Sequence, residues 1–100
     1  MQLTSKQQKF LRGLGHHLQP SAMLGREGIT KPVIKSVMDV LIAHELIKVK
    51  IQENCPLERH DAATQIADST GSNLVQVIGR IALLYRPNTD LQDDERIKLN

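Results

Sequence analysis

Residues 33–51 read VIKSVMDVLIAHELIKVKI, and two periods meet inside them. Val33, Ile34, Val37, Met38, Leu41 and Ile42 recur at the spacing of one helix face. From Leu46 to Ile51, apolar residues alternate with Lys48 and Lys50, the signature of a strand that places both lysines on one face. The switch falls at His44-Glu45, where Glu45 is expected to have a structural or solvent role. A helix that feeds straight into a strand is half of a β-α-β unit. The stretch therefore predicts an α/β fold, and the segment before it should supply a strand.

That segment is Ser21-Ala22-Met23-Leu24, followed by Gly25-Arg26-Glu27-Gly28. Thr30 is a suitable N-cap for the central helix, and Pro32 suits its first turn. Further upstream, Thr4-Ser5-Lys6-Gln7 reads as a capping box that opens a first helix. Phe10, Leu11, Leu14 and Leu18 form its apolar side, with Lys6, Lys9, Arg12 and His16 opposite, and Pro20 ends it. Downstream, Asn54 and Pro56 are expected to open a third helix. Leu57, Ala62, Ala63, Ile66 and Ala67 line its buried side, and Gly71 stops it. Residues 74–78 and 81–85 are two apolar runs split by Gly79-Arg80, a type II′ hairpin signal.

The order is α-β-α-β-α-β-β. It predicts a single compact domain over residues 1–87, with a four-stranded mixed sheet and packed helices. The pattern leaves the strand order open. Residues 88–100 are polar and acidic, with Asp93-Asp94-Glu95 in them, and are expected to be a loosely ordered tail.

Composition narrows the function classes. The 100-residue chain has 2% aromatic residues, only Phe10 and Tyr85. A base-stacking aromatic platform is therefore not expected. No apolar run is long enough to span a membrane. The first residues lack the apolar core of a signal peptide, and the lone Cys55 fits a reducing compartment, so a cytoplasmic protein is expected. The net charge of +2 hides an asymmetry. Residues 1–50 carry eight Lys/Arg against three acids, whereas residues 51–100 carry five against eight. The basic half contains the GREG loop and suits a polyanionic partner, although a solvated surface of mixed charge gives the same count.

The GREG loop lies between a strand and a helix N-terminus, where N–H groups and a partial positive charge favour anions. Its glycines would let a sugar–phosphate chain approach, and Arg26 would add a charge-assisted contact. A GxxG loop that clamps a nucleotide backbone is also the device of KH domains. A plain turn has the same bare pattern. Lys48 and Lys50 are either RNA contacts or snorkelling residues at the sheet margin. Arg80 reads as the second residue of a tight turn. His16 and His17 project about 100° apart on a helix. His44, Cys55 and His60 lack ligand spacing, so neither a metal site nor a cofactor is expected.

Taken together, several blocks resemble the YhbY-type proteins, single-domain bacterial members of the CRM RNA-binding family. These are Leu3-Thr4 with Lys6-Gln7, Leu11-Arg12, His16-His17-Leu18 with Pro20, and Gly25-Arg26-Glu27-Gly28 with Ile29-Thr30. His44 to Lys50 is the most distinctive block, and residues 75–80 and Leu84-Tyr85-Arg86-Pro87 complete the set. The resemblance implies a domain similar to the C-terminal domain of translation initiation factor three. It also implies non-enzymatic RNA binding through the GxxG loop and nearby basic surface, on precursors of the large ribosomal subunit. The RNA-binding candidates are Gly25, Arg26, Gly28, Thr30, Lys31, Lys35, Lys6, Lys9, Arg12, His16, Lys48 and Lys50. The partners expected are ribosomal RNA and, secondarily, ribosomal proteins, with the chain acting as a monomer away from membranes. A module that docks on ribosomal proteins or assembly factors is the alternative. Two residues depart from the family pattern. Glu27 puts an acid into the loop, and Gly15 stands where relatives usually have Ala.

Overall fold

A computed structural model describes residues 2–99. The elements are α1 (Ser5–Gly15), β1 (Pro20–Leu24), α2 (Lys31–His44), β2 (Leu46–Ile51), α3 (Arg59–Thr70), β3 (Asn73–Ile78) and β4 (Ile81–Tyr85). The chain forms the α/β domain with a four-stranded mixed sheet that the periodicities predict. The strand order is β1-β2-β4-β3. β1 and β2 run parallel, and β4 lies antiparallel between β2 and β3. Among the described residues no helix is long and apolar enough to cross a membrane.

Local chemistry explains most element ends. At α1, the Gln7 N–H donates to Thr4 Oγ1 (3.1 Å) and the Thr4 N–H to Gln7 Oε1 (3.0 Å), which closes the capping box. Gly71 adopts φ +65° after α3, and the Ser72 N–H reaches back to the Ala67 carbonyl at 2.9 Å. The third helix starts at Arg59, later than Asn54 and Pro56 suggested. Glu58 is the reason: its carboxylate accepts the N–H groups of His60 (2.9 Å) and Asp61 (3.3 Å). The His60 ring, with those N–H groups, holds the Glu58 carboxyl below its usual range.

The sheet is covered on both faces. α2 and α3 bury Val37, Leu41, Ala62, Ala63 and Ile66 against Ile47, Val49, Ile51, Ala82 and Leu84. On the other face, Leu11 of α1 packs with Leu46, Val75, Leu83 and Tyr85. The apolar side of α1 is narrower than its sequence suggests: Phe10 and Leu14 are 42% and 40% exposed. The reason is Gly15, one turn beyond Leu11. A Cβ there would sit 2.8 Å from both Leu83 methyl carbons. The helix backbone therefore lies close to the sheet along the Leu11–Gly15–Leu18 line and leaves the flanking residues outside. Gly15→Ala should lower stability by about 1 kcal/mol, because overpacking outweighs the gain in helix propensity. Urea denaturation checks this.

The largest difference from expectation is at the C-terminal end. Residues 88–99 do not trail as a loose tail. Ile97 and Leu99, like Leu3 and Leu18, pack against the Leu11 cluster on the α1 side of the sheet. They return there because Glu45, fully buried at φ +62°, captures them. Its carboxylate accepts the N–H groups of Asn88 and Ile97, each at 2.6 Å, and Arg96 Nε approaches at 3.4 Å. Burial raises the pKa of Tyr85, the negative charge of Glu45 adds to the rise, and Arg96 partly offsets it. A raised phenol pKa leaves stability intact below the unfolded value of about 10 and erodes it as pH climbs through the folded value. Tyr85 is the only tyrosine and the chain has no tryptophan. Its phenolate absorbance should therefore appear at higher pH in the native protein than in urea.

Candidate nucleic-acid interface

Two groups of the predicted residues come together, and both face solvent. The first is the GREG loop. It closes as a turn in which the Gly28 N–H donates to the Gly25 carbonyl at 3.0 Å. Gly28 has φ +71°, where a side chain would be strained, and a Cβ would meet Pro56 Cγ at 3.4 Å. Arg26 and Glu27 form the tip, with side chains 83% and 78% exposed and Nε to Oε1 at 3.9 Å. Glu27 therefore points outward beside Arg26 and offsets part of its charge; a pair this exposed contributes little to stability.

The end of α2 beside this loop offers fewer donors than a free helix terminus. The Thr30 hydroxyl accepts the Val33 N–H at 3.4 Å, and Pro32 has no N–H. What remains is the Lys31 N–H together with the exposed Lys31 side chain. Lys35 points to solvent but is engaged with Asp39 at 2.9 Å.

The second group lines a groove of about 760 Å³ between α1 and the open part of the sheet. Lys9 and Arg12 come from α1, His16 is the residue that caps its C-terminal end, and Lys48 comes from β2. Lys6 is exposed but lies outside the groove lining. Lys48 Nζ donates to the Leu18 carbonyl at 3.0 Å, so its charge is held in place rather than free to swing. Lys50 stands two residues further along the same face and is exposed. It pairs with Met23 on one side and Ile81 on the other. Because Leu24 pairs with Ile51 and Lys50 with Ile81, the GREG loop, the exit of β2 and the hairpin tip share one end of the sheet. Lys50 thus lies between the two groups.

Arg80 has a role the sequence did not disclose. Its guanidinium donates to the carbonyls of Ile51 (2.8 Å) and Gln52 (2.7 Å). It therefore ties the hairpin tip to the segment beside Gly25. The bulge at residues 74/76 is the other feature missed; it leaves Gln76 opposite Leu83, in the groove lining. A single polar residue in an apolar run was the only available hint. The His16 and His17 rings meet edge-on at 5.3 Å. Among the described residues no three His, Cys, Asp or Glu side chains could hold a metal.

The CRS1/YhbY (CRM) domain model matches residues 3–86. The chain belongs to this family. Among its relatives, the Bacillus subtilis protein YqeI, named a probable RNA-binding protein, is 39% identical over 88% of this chain and 92% of its own. A Haemophilus influenzae RNA-binding protein is 41% identical over 88% and 89%. The solution structure of SAV1595 from Staphylococcus aureus superposes with a TM-score of 0.80 at 35% identity, covering 99% of this chain and all of that one. The CRM match ends just before the segment that Glu45 captures. The GREG loop, the α1 basic side and the Lys48–Lys50 strand all lie within it.

Proposed function

We propose that this protein is a non-enzymatic, cytoplasmic RNA-binding module that acts on precursors of the large ribosomal subunit. The observation that carries the reading is the grouping of exposed cations at one end of the sheet. Arg26 and Lys31 stand exposed at a glycine turn, and Lys50 bridges to the α1 side. Membership of the CRM family and the RNA-binding names of its relatives support RNA as the polyanion. Arg26 and Lys31 grip the sugar–phosphate chain at the turn. Such contacts set register and orientation, and RNA shape supplies selectivity.

Arg26→Ala combined with Lys31→Ala should weaken binding to structured ribosomal RNA about tenfold, since two charge-assisted contacts are lost. The melting curve should hardly move, because both side chains are exposed. Glu27→Ala should tighten binding by removing the acid beside Arg26. Filter binding at fixed salt reads the two affinity changes and thermal denaturation the melting curve; unchanged affinities would move the site away from the loop. Crosslinking in cells followed by sequencing of the bound RNA tests the ribosomal assignment. Recovery of messengers or introns in place of large-subunit RNA would overturn it.

A further inference from the structure

The groove beside α1 has more than charge. Its walls are cationic, but Leu18, Leu83, Ile78 and Ile81 give it an aliphatic lining. Ile78 is 65% exposed, the most exposed large apolar side chain among the described residues. It lies at the hairpin end, opposite Ile81 in the β3–β4 register. Opposite Leu83, the Gln76 carboxamide also lines the groove, with no hydrogen bond to any described residue. No described acid lines the groove. Its volume of about 760 Å³ falls in the range of small-molecule sites, roughly 300–1,000 Å³.

We infer that this groove is a second, base-binding subsite: it receives an unpaired RNA base whose face lies on Ile78 and Ile81, whose edge meets the Gln76 carboxamide, and whose flanking phosphates face Lys9 and Arg12. The inference rests on the proposed RNA-binding function and deepens it. A purely electrostatic surface has no use for an exposed isoleucine and an unpaired amide among its cations. A helical duplex keeps its bases stacked and their faces hidden, whereas loops and bulges present them. The occupant that satisfies both the charge and the apolar surface is therefore a single-stranded nucleotide. Lys48 acts as a fixed charge in the groove, because the Leu18 carbonyl holds it. With the GREG loop gripping backbone at one point and the groove taking a base at another, the protein would select RNA in which an unpaired nucleotide lies near an accessible backbone.

The test compares three RNAs: a large-subunit ribosomal RNA hairpin with an unpaired loop, the same hairpin with abasic loop positions, and a fully paired duplex of equal length. Each is titrated with wild-type protein, with Ile78→Ser/Gln76→Ala, and with Arg26→Ala/Lys31→Ala. Neither groove residue is in the buried core, and circular dichroism confirms that each variant is folded. The groove variant should lose about tenfold for the looped hairpin, the size of one lost base contact. It should match wild type on the abasic and duplex RNAs, with an unchanged salt slope. The loop variant should lose affinity for all three. If the groove variant binds the looped hairpin as tightly as wild type does, the base subsite is wrong; this is also the result expected if a protein segment occupies the groove. A groove-specific loss with an unaffected loop variant would sustain the subsite and overturn the GREG grip. Failure of the wild-type protein to bind any of the RNAs would overturn both.

Discussion

Glu45→Ala should destabilise the protein by about 3–5 kcal/mol, the cost of breaking a buried, hydrogen-bonded charge. The carboxylate is fully buried and accepts two backbone N–H groups at 2.6 Å. Without it, those of Asn88 and Ile97 lose a charged acceptor, and an unsatisfied buried group costs roughly 1–3 kcal/mol. Residues 88–99 then detach unless water replaces the acceptor, and release of Ile97 and Leu99 would uncover apolar surface beside Leu11, Leu46 and Tyr85. Alanine would also inherit the φ of +62° with only the backbone bonds to Leu41 and Arg86 to hold it. For a domain of this size the melting temperature should fall by at least about 12 °C. Glu45→Gln keeps an acceptor oxygen and should lose less than half as much. Calorimetry on the two variants distinguishes these outcomes, and a loss below about 1 kcal/mol for alanine would show that the segment is not anchored there.

Raising salt fourfold should weaken RNA binding about a hundredfold. Lys31, Lys50, Lys9 and Arg12 are the cations of the two groups that no described acid or carbonyl holds, and Arg26 counts with them because its contact with Glu27, at 3.9 Å and exposed to solvent, is weak. Lys35 is engaged by Asp39 and Lys48 by the Leu18 carbonyl. One phosphate for each of the five gives a log–log slope of about −3.5 on single strands, which over a fourfold change is roughly a factor of a hundred. The Arg26→Ala/Lys31→Ala variant should drop to a slope of about −2. A slope near zero for the wild-type protein would rule out phosphate contact as the source of affinity. A slope well beyond −3.5 would mean that Lys6, Lys35 or Lys48 also neutralises phosphates.

Much of the candidate interface was legible because it is built locally. The capping box at Thr4, the bend at Gly25 to Gly28 and the lysine alternation on β2 all involve neighbours within a few positions, where spacing determines geometry. The groove was half legible. Lys9, Arg12 and His16 followed from helical periodicity, but Ile78 and Gln76 did not, since their place depends on a bulge and on which strand lies beside β4. Glu45 was the least legible. Its partners are 43 and 52 positions away, and nothing in its own neighbourhood distinguishes a buried carboxylate from a solvated one.

By itself, then, the amino-acid order determined the helices, the strands, their succession, and the cationic bend that opens the central helix, because each is closed by hydrogen bonds and side-chain periodicity over short separations. Only the tertiary structure decided the β1-β2-β4-β3 order, the two-sided covering of the sheet, the return of residues 88–99 onto Glu45, and the groove beside α1. Those features come from pairings between distant segments. The packing of the whole chain selects among such pairings, and no local pattern encodes them.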